Sequence, residues 1–529
     1  MIKNPVLTGF HADPSLLCVG DTFYIANSTF EWFPGVKISK SKDLANWETV
    51  GYPCDRDALL NMEGNPRSCG IWAPCLSYAN GKFYLVYTDV KLWTGDWFKD
   101  SPNYITTAKN IEGPWSDPVY INCSGFDPSL YHDDDGRMYF LNMEWDYRKE
   151  GSAQFSGILI TELDPKTLKA VSKPVKIFKG SGKGSVEGPH ICKKDGYYYL
   201  FTAEGGTVYA HAETVARSRN LNGPYELHPN TFLSCTEKYP QAPLQKTGHG
   251  QIAQSADGRW WYACLCGRPI DVDDSQQPRR CPLGRETSIN EVIWKNDWPY
   301  LKNETTVLDE HFDGYGEKQP DAAKRYDFKA GNDKCLELDF QSLRSKAKYE
   351  WKDGMLRIHG GNSPSCGFGQ NILARRQQHF KFEAVASVTL HGGNFQQMAG
   401  LNYRYDELTY YFLRVAFNEE IGQNSLGILS KVRGNFTLPL GQKEIPVGTG
   451  PVHLKLKACR ESARFSYSLD GENFTEIDYN IDVTVLSDEC ATPLGFTGAF
   501  IGMQCVDLRD KTATADFGYF VYTPILTID

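Results

Sequence analysis

One short pattern recurs five times between Asp13 and Trp261. Its copies open at Asp13-Pro14, Trp72-Ala73-Pro74, Asp127-Pro128, Glu187-Gly188-Pro189 and His249-Gly250. Each runs through an apolar stretch to a glycine and then an aromatic pair or near-pair: Phe23-Tyr24, Phe83-Tyr84, Met138-Tyr139, Tyr197-Tyr198 and Trp260-Trp261. The openings are separated by 59, 55, 60 and 62 residues. A fixed period of this length marks a repeat architecture. Repeats set in a ring bring equivalent positions to one centre, and such a ring gathers Asp13, Asp127 and Glu187.

Runs such as Phe83-Tyr84-Leu85-Val86-Tyr87 and Tyr197-Tyr198-Tyr199-Leu200-Phe201 are short, β-prone and bounded by turn residues. Asn80-Gly81, Asp135-Gly136, Asp195-Gly196 and Asp257-Gly258 read as tight hairpins, since glycine supplies positive φ. Each repeat is therefore a strand, a hairpin, an aromatic strand and further strands. Five such sheets make a five-bladed β-propeller, expected over residues 1–302. The repeat is lost after Leu308-Asp309-Glu310-His311-Phe312. One-face alternation replaces it: Phe380, Phe382, Ala384, Ala386, Val388 and Leu390, then Val452, Leu454, Leu456 and Ala458. Period-2 strands with one wet face predict a β-sandwich over residues 303–529.

At 529 residues the chain exceeds one ordinary core, which agrees with two domains. A net charge of −9 argues against nucleic acid or an anionic membrane as partner. No 18-residue apolar run occurs, and no charged start leads into an apolar segment. The 15 cysteines are odd in number and irregularly spaced, and Cys264-x-Cys266 is not a zinc pair. Reduced thiols and a cytoplasmic location are the expectation.

Hydrolysing a glycosidic bond takes one carboxylic acid to protonate the leaving oxygen and a carboxylate on the opposite face. Crowded carboxylates supply both, because like charges hold one of their number protonated. A lone Asp-Pro or Glu-Gly-Pro is ordinary turn chemistry; three at one repeat position point to a shared site. Two acidic runs read otherwise. Asp133-Asp134-Asp135-Gly136 falls on the third hairpin and lacks the other ligands of a calcium loop. Asp271-Val272-Asp273-Asp274 reads as a solvated loop. Glu144 and Glu204 lie in β segments but do not hold the repeat position.

Several segments together resemble glycoside hydrolase family 43, and within it the two-domain β-xylosidases. They are Asn4-Pro5-Val6-Leu7 with Phe10-His11-Ala12-Asp13-Pro14-Ser15, Ser28-Thr29-Phe30-Glu31-Trp32-Phe33-Pro34-Gly35, Ile71-Trp72-Ala73-Pro74, Gly125-Phe126-Asp127-Pro128-Ser129, Val186-Glu187-Gly188-Pro189-His190, Gly248-His249-Gly250 and Pro282-Leu283-Gly284-Arg285-Glu286-Thr287. Gly495-Phe496-Thr497-Gly498-Ala499-Phe500-Ile501-Gly502 resembles the loop these enzymes extend from the concanavalin A-like sandwich to the pocket. The resemblance implies Asp13 as general base, Glu187 as general acid and Asp127 as the carboxylate that orients the acid and raises its pKa. It implies single displacement with inversion, the Asp13 and Glu187 carboxyls lying about 6.5–9.5 Å apart. Arg285 matches a sugar-binding arginine, with a salt bridge as its other reading. Phe30, Trp72, Trp145 and Phe500 match pocket-wall aromatics, against plain core packing. His249 matches a residue below the sugar that faces a water-bound calcium, or else a structural histidine. No cofactor is required on this reading.

The resemblance further implies an exo-acting β-xylosidase on short xylo-oligosaccharides, and a homo-oligomer, dimer or tetramer. α-L-arabinofuranosidase activity is the near alternative, since both sugars offer similar hydroxyls. A fructan hydrolase would want Arg-Asp-Pro and Glu-Cys motifs, where this chain has Phe126-Asp127-Pro128 and Glu187-Gly188 instead. A non-catalytic sugar-binding propeller is the distant alternative, because binding alone does not call for three desolvated carboxylates.

Overall fold

The computed structural model describes residues 1–93, 97–330, 333–441 and 443–526. Five four-stranded antiparallel sheets succeed one another along the first part of the chain. Their first strands are β1 (Ser15–Val19), β2 (Gly70–Ala79), β3 (Ser129–His132), β4 (Glu187–Lys194) and β5 (Gln245–Gln254). Each first strand packs against the next, and β5 returns to β1. The ring is the expected five-bladed propeller. Its blades are held apart by the residues that follow each repeat glycine. Phe23 packs with Trp261 between blades 1 and 5, Phe83 with Ile38 between blades 1 and 2, and Met138 with Tyr84 between blades 2 and 3.

Two hairpins are as expected. Ala79 pairs with Lys82 across Asn80-Gly81, and Lys194 with Tyr197 across Asp195-Gly196. Both residues of each turn are left-handed (φ 50° and 76°; 49° and 77°), which Asn-Gly and Asp-Gly tolerate best. The other two are longer. His132 pairs with Met138 and Gln254 with Trp260. There the Gly136 N–H donates to the Asp133 carbonyl and the Gly258 N–H to the Ser255 carbonyl. The turn closes first and only the glycine that follows is left-handed.

The chain forms two compact units, Met1–Arg268 with Arg285–Gln319, and Pro269–Gly284 with Pro320–Asp529. The first unit runs past residue 302 because its N-terminus needs the extra chain. Ile2 pairs with Phe312 and Lys3 with His311. The Asn4 side chain donates to the Ile289 and Asp309 carbonyls, both at 2.8 Å, and accepts from the Ile289 N–H at 2.9 Å. The Pro269–Gly284 excursion joins the second unit. Arg280 donates to Thr484, the Cys281 N–H to Glu489, and the Ala499 N–H to the Pro282 carbonyl.

The second unit contains an eight-stranded and a seven-stranded antiparallel sheet that share one apolar core. In the first, β6 (Lys381–His391) pairs with β7 (Val452–Cys459). The pairing sets Phe382 against Ala458, Ala384 against Leu456, Ala386 against Leu454 and Val388 against Val452. The period-2 reading of these segments is thus the packed face. The second sheet includes β8 (Phe500–Asp507). No helix among the described residues is long and apolar enough to cross a membrane.

Asn4→Ala strands buried partners on the fifth blade. The expected cost is ~2–4 kcal/mol, read as a lower midpoint for the earlier transition in scanning calorimetry. An unchanged midpoint contradicts a closing role for this segment.

Candidate active site

Asp13, Asp127 and His249 hold matching places in blades 1, 3 and 5, and each has left-handed backbone (φ 51°, 56° and 49°). In blades 2 and 4 the left-handed residues are Ala73 (φ 37°) and Gly188 (φ 57°). The register of the ring therefore follows the left-handed residue, which precedes proline in four blades. Trp72 and Glu187 stand one residue earlier. The expectation that Glu187 shares the position of Asp13 and Asp127 is corrected by that one residue. The ladders break in the same places: β2 beyond Trp72, β4 beyond Glu187 and β5 around His249. Non-glycine residues here cost of order 1 kcal/mol each or more. At Gly188 a side chain is disfavoured for a second reason: a Cβ there would lie 3.0 Å from the His249 imidazole, a tight contact.

The four polar groups converge at one buried place. His249 Nδ1 lies 3.8 Å from Asp13 Oδ1 and 3.9 Å from Asp127 Oδ2. Asp127, Glu187 and His249 each bring one donor atom to within 4.8 Å of the others. Asp13 accepts from Arg285 Nη1 at 2.8 Å and from the Ser28 hydroxyl at 2.6 Å. Asp127 accepts from the Gly188 N–H at 3.1 Å, so the residue after Glu187 is tied to the third carboxylate.

Their charges follow from these contacts. Burial pushes the Asp13 carboxyl up, but Arg285, His249 and the Ser28 hydrogen bond outweigh it and hold Asp13 below its ordinary value. Glu187 is pushed up to about 8 by burial and then by Asp13, with Arg285 and Lys99 opposing. Asp127 is driven well up by burial, Glu187 and Asp13, against the Gly188 N–H and Arg285. Asp127 and Glu187 cannot both ionise cheaply at this spacing, so the pair retains a proton near neutrality. Burial also pushes His249 down, with Asp13 opposing, and pushes His190 and His211 down to about 3. Asp127, Glu187 and His249 would offer an ion at most three ligand atoms here, so a calcium facing His249 would take the rest of its six to eight oxygens from water.

The remaining site expectations fall in two places. Phe30 lies under the Arg285 guanidinium at 5.3 Å. Phe30, Trp72, Phe126 and Trp145 follow one another in an arc, with centroids 5.7, 5.3 and 6.3 Å apart. The Trp72 indole N–H donates to the Ser68 carbonyl and that of Trp145 to the Trp97 carbonyl. Phe500 belongs to the second unit. It opens β8, is fully buried, and carries the Arg376 guanidinium 5.6 Å from its ring.

Several site groups escaped sequence reasoning. Ser28 and Phe126 lay inside quoted motifs without a role. Glu213 lies in no motif. It accepts from the Gly250 N–H at 2.8 Å and the Tyr262 hydroxyl at 3.3 Å, and burial pushes it up to about 8. It fixes the backbone beside His249. Lys99 sits in an irregular loop with no pattern to betray it.

The acidic runs set aside above have other work. Asp133 accepts from Lys193, Tyr198 and Tyr131, which joins blade 3 to blade 4. Asp274 pairs with Arg280. Glu144 pairs with Lys176, and Glu204 accepts from the Ser181 N–H and hydroxyl.

Residues 2–299 match the model of glycosyl hydrolases family 43, and residues 325–523 match that of the β-xylosidase C-terminal concanavalin A-like domain. The chain belongs to glycosyl hydrolase family 43. Among its relatives is a xylosidase/arabinosidase 43B of Humicola insolens, 45% identical over 99% of this chain and 98% of that one. A β-xylosidase of Bacillus subtilis is 43% identical over 98% and 99%. The crystal structure of a xylan β-1,4-xylosidase from Bacillus halodurans superposes with a TM-score of 0.93, at 43% identity, over 99% of this chain and all of that one.

Within this family 43 site, Arg285 alone opposes the burial of Asp13 with a full charge in direct contact. Arg285→Ala therefore raises the Asp13 carboxyl. The acid limb of the pH–rate profile should move up by about one unit or more. An unmoved limb contradicts the assignment of that limb to Asp13.

Proposed function

We propose that the chain is an exo-acting β-xylosidase that releases D-xylose from the non-reducing ends of β-1,4-xylo-oligosaccharides. The carrying observation is an asymmetric pair. Asp13 is held ionised by Arg285, while Glu187 is held protonated up to about pH 8. Glu187 gives its proton to the glycosidic oxygen, and the electrons of the breaking C–O bond go to that oxygen. Water attacks the anomeric carbon from the other face and gives its proton to Asp13. Inversion follows, as the family resemblance implies. Asp127 holds the Gly188 N–H and so orients the acid. Arg285 and the Phe30–Trp72–Phe126–Trp145 arc bind the sugar by hydroxyl contact and apolar face. Calcium has no chemical part in this scheme.

The names of the relatives at 45% and 43% identity support the xylosidase reading, and the first also names arabinosidase activity. α-L-arabinofuranosidase is therefore the second reading, as main or side activity. The proposal places the enzyme in the cytoplasm, where a chain with an odd count of 15 irregularly spaced cysteines is in keeping with reducing conditions. A homo-oligomer, dimer or tetramer, stands on the family resemblance alone.

Initial rates on 4-nitrophenyl β-D-xylopyranoside, 4-nitrophenyl α-L-arabinofuranoside and xylobiose separate the readings. Xyloside and xylobiose cleavage is the expected result; cleavage of the arabinofuranoside alone moves the function to debranching. Asp13→Asn should abolish turnover of all three. Glu187→Gln should cost ~10²–10⁴-fold on xylobiose and far less on a dinitrophenyl xyloside, whose leaving group needs no proton. Equal losses on both would remove Glu187 from the acid role.

A further inference from the structure

We infer that Lys99 is a positioning residue for the acid: a caged cation that carries the counter-charge when Glu187 gives up its proton. The inference rests on the reading of Glu187 as the acid. Lys99 lies in the loop between strands Lys82–Val90 and Asn103–Ala108 of blade 2. Its ammonium sits 4.2 Å from the centroid of Trp145, 5.2 Å from Trp93 and 5.9 Å from Phe126. Phe126 and Trp145 belong to blade 3, so the side chain bridges two blades inside a cage of three rings. One proton goes to the Trp93 carbonyl at 3.3 Å. Among the described residues no carboxylate lies within ion-pair distance of it.

A long ammonium ordinarily reaches water or a surface carboxylate. Here it is drawn in against aromatic faces, which hold a cation through their quadrupoles without neutralising it. The Phe126 ring of the cage immediately precedes Asp127, which brings a carboxylate oxygen to within 4.8 Å of one of Glu187, so the field of Lys99 is left for that acid pair, and Glu187 is the charge that bears on it most. The relation is mutual, since Lys99 and Arg285 are the two cations that act on Glu187. Arg285 is engaged by Asp13 at 2.8 Å. Lys99 is thus the cation available when Glu187 becomes an anion beside an ionised Asp13. Burial drives Lys99 down to about 8, with Glu187 opposing, so it remains a cation where Glu187 remains an acid. The other ionisable groups facing the pair are Asp13, Asp127 and Arg285 around Glu187, and Cys69 near Lys99.

The test uses two neutral variants, Lys99→Met and Lys99→Gln, beside Lys99→Arg, in the full chain. Removing the cation leaves Glu187 protonated to higher pH and makes it a weaker acid. In both neutral variants the alkaline limb of kcat/KM should move up by about one unit. The kcat for xylobiose should fall about 10–100-fold, while the dinitrophenyl xyloside loses less than about 3-fold. Lys99→Arg should leave the limb in place. An unmoved limb in both neutral variants overturns the inference. So does an equal loss on both substrates, which marks a packing role, or a rise in KM alone, which marks a sugar contact. The Glu187→Gln comparison keeps the two readings apart. A leaving-group split there, with none in the Lys99 variants, removes Lys99 and spares the acid.

Discussion

The Arg285–Asp13 contact sets the charge of everything around it. Burial pushes Asp13, Asp127 and Glu187 alike toward the neutral form. Three neutral carboxyls would offer acids and no base. A guanidinium at 2.8 Å from one of them breaks the tie. Asp13 ionises, and its charge then adds to burial in holding protons on the other two. On the proposed mechanism, one ion pair thus determines which carboxyl is base and which is acid. A lysine would be a poorer choice, since its charge yields to burial where a guanidinium's does not.

The propeller makes this crowding affordable because its stability is stored elsewhere. The interblade layers of Phe23, Phe83, Met138 and Trp261 carry the apolar packing. The ring is closed by Asn4 and the strand pairing at Ile2 and Lys3. Residues at the openings are then free to adopt left-handed backbone and to bring buried ionisable groups within 4 Å of one another. His249 packs at the same place: its imidazole lies against Gly188, and burial pushes its pKa down.

What was legible in the sequence followed from periodicity. Five openings at a near-constant interval fixed the ring, and alternation at Phe382–Leu390 and Val452–Ala458 fixed a buried sheet face. What was not legible depended on single residues. The repeat was aligned on its carboxylates, whereas the prolines at 14, 74, 128 and 189 mark the true register and place Glu187 one residue early. The two longer hairpins depended on where the first turn closes, which Asp-Gly alone does not specify. The first unit's edge depended on what the N-terminus pairs with, a long-range contact without local signature. Lys99, in an irregular loop, is defined only by rings contributed from two blades.

The one-residue offset of Glu187 bears on stereochemistry. Asp13 and Asp127 are themselves the left-handed residues of their blades, whereas Glu187 stands one residue before the left-handed Gly188, so its carboxyl leaves the chain at a different point of the turn from theirs. Three carboxylates at one repeat position would all crowd the same point and stand at similar distance from a bound sugar. Shifting one of them gives it a place of its own, apart from the base. An inverting hydrolase needs that separation, because a water must stand between base and anomeric carbon while the acid reaches the leaving oxygen from the far side. Asp127, kept at the unshifted position, holds the Gly188 N–H at 3.1 Å and so fixes the shifted residue beside it. The third carboxylate is thereby explained: it secures the departure from symmetry on which the chemistry relies.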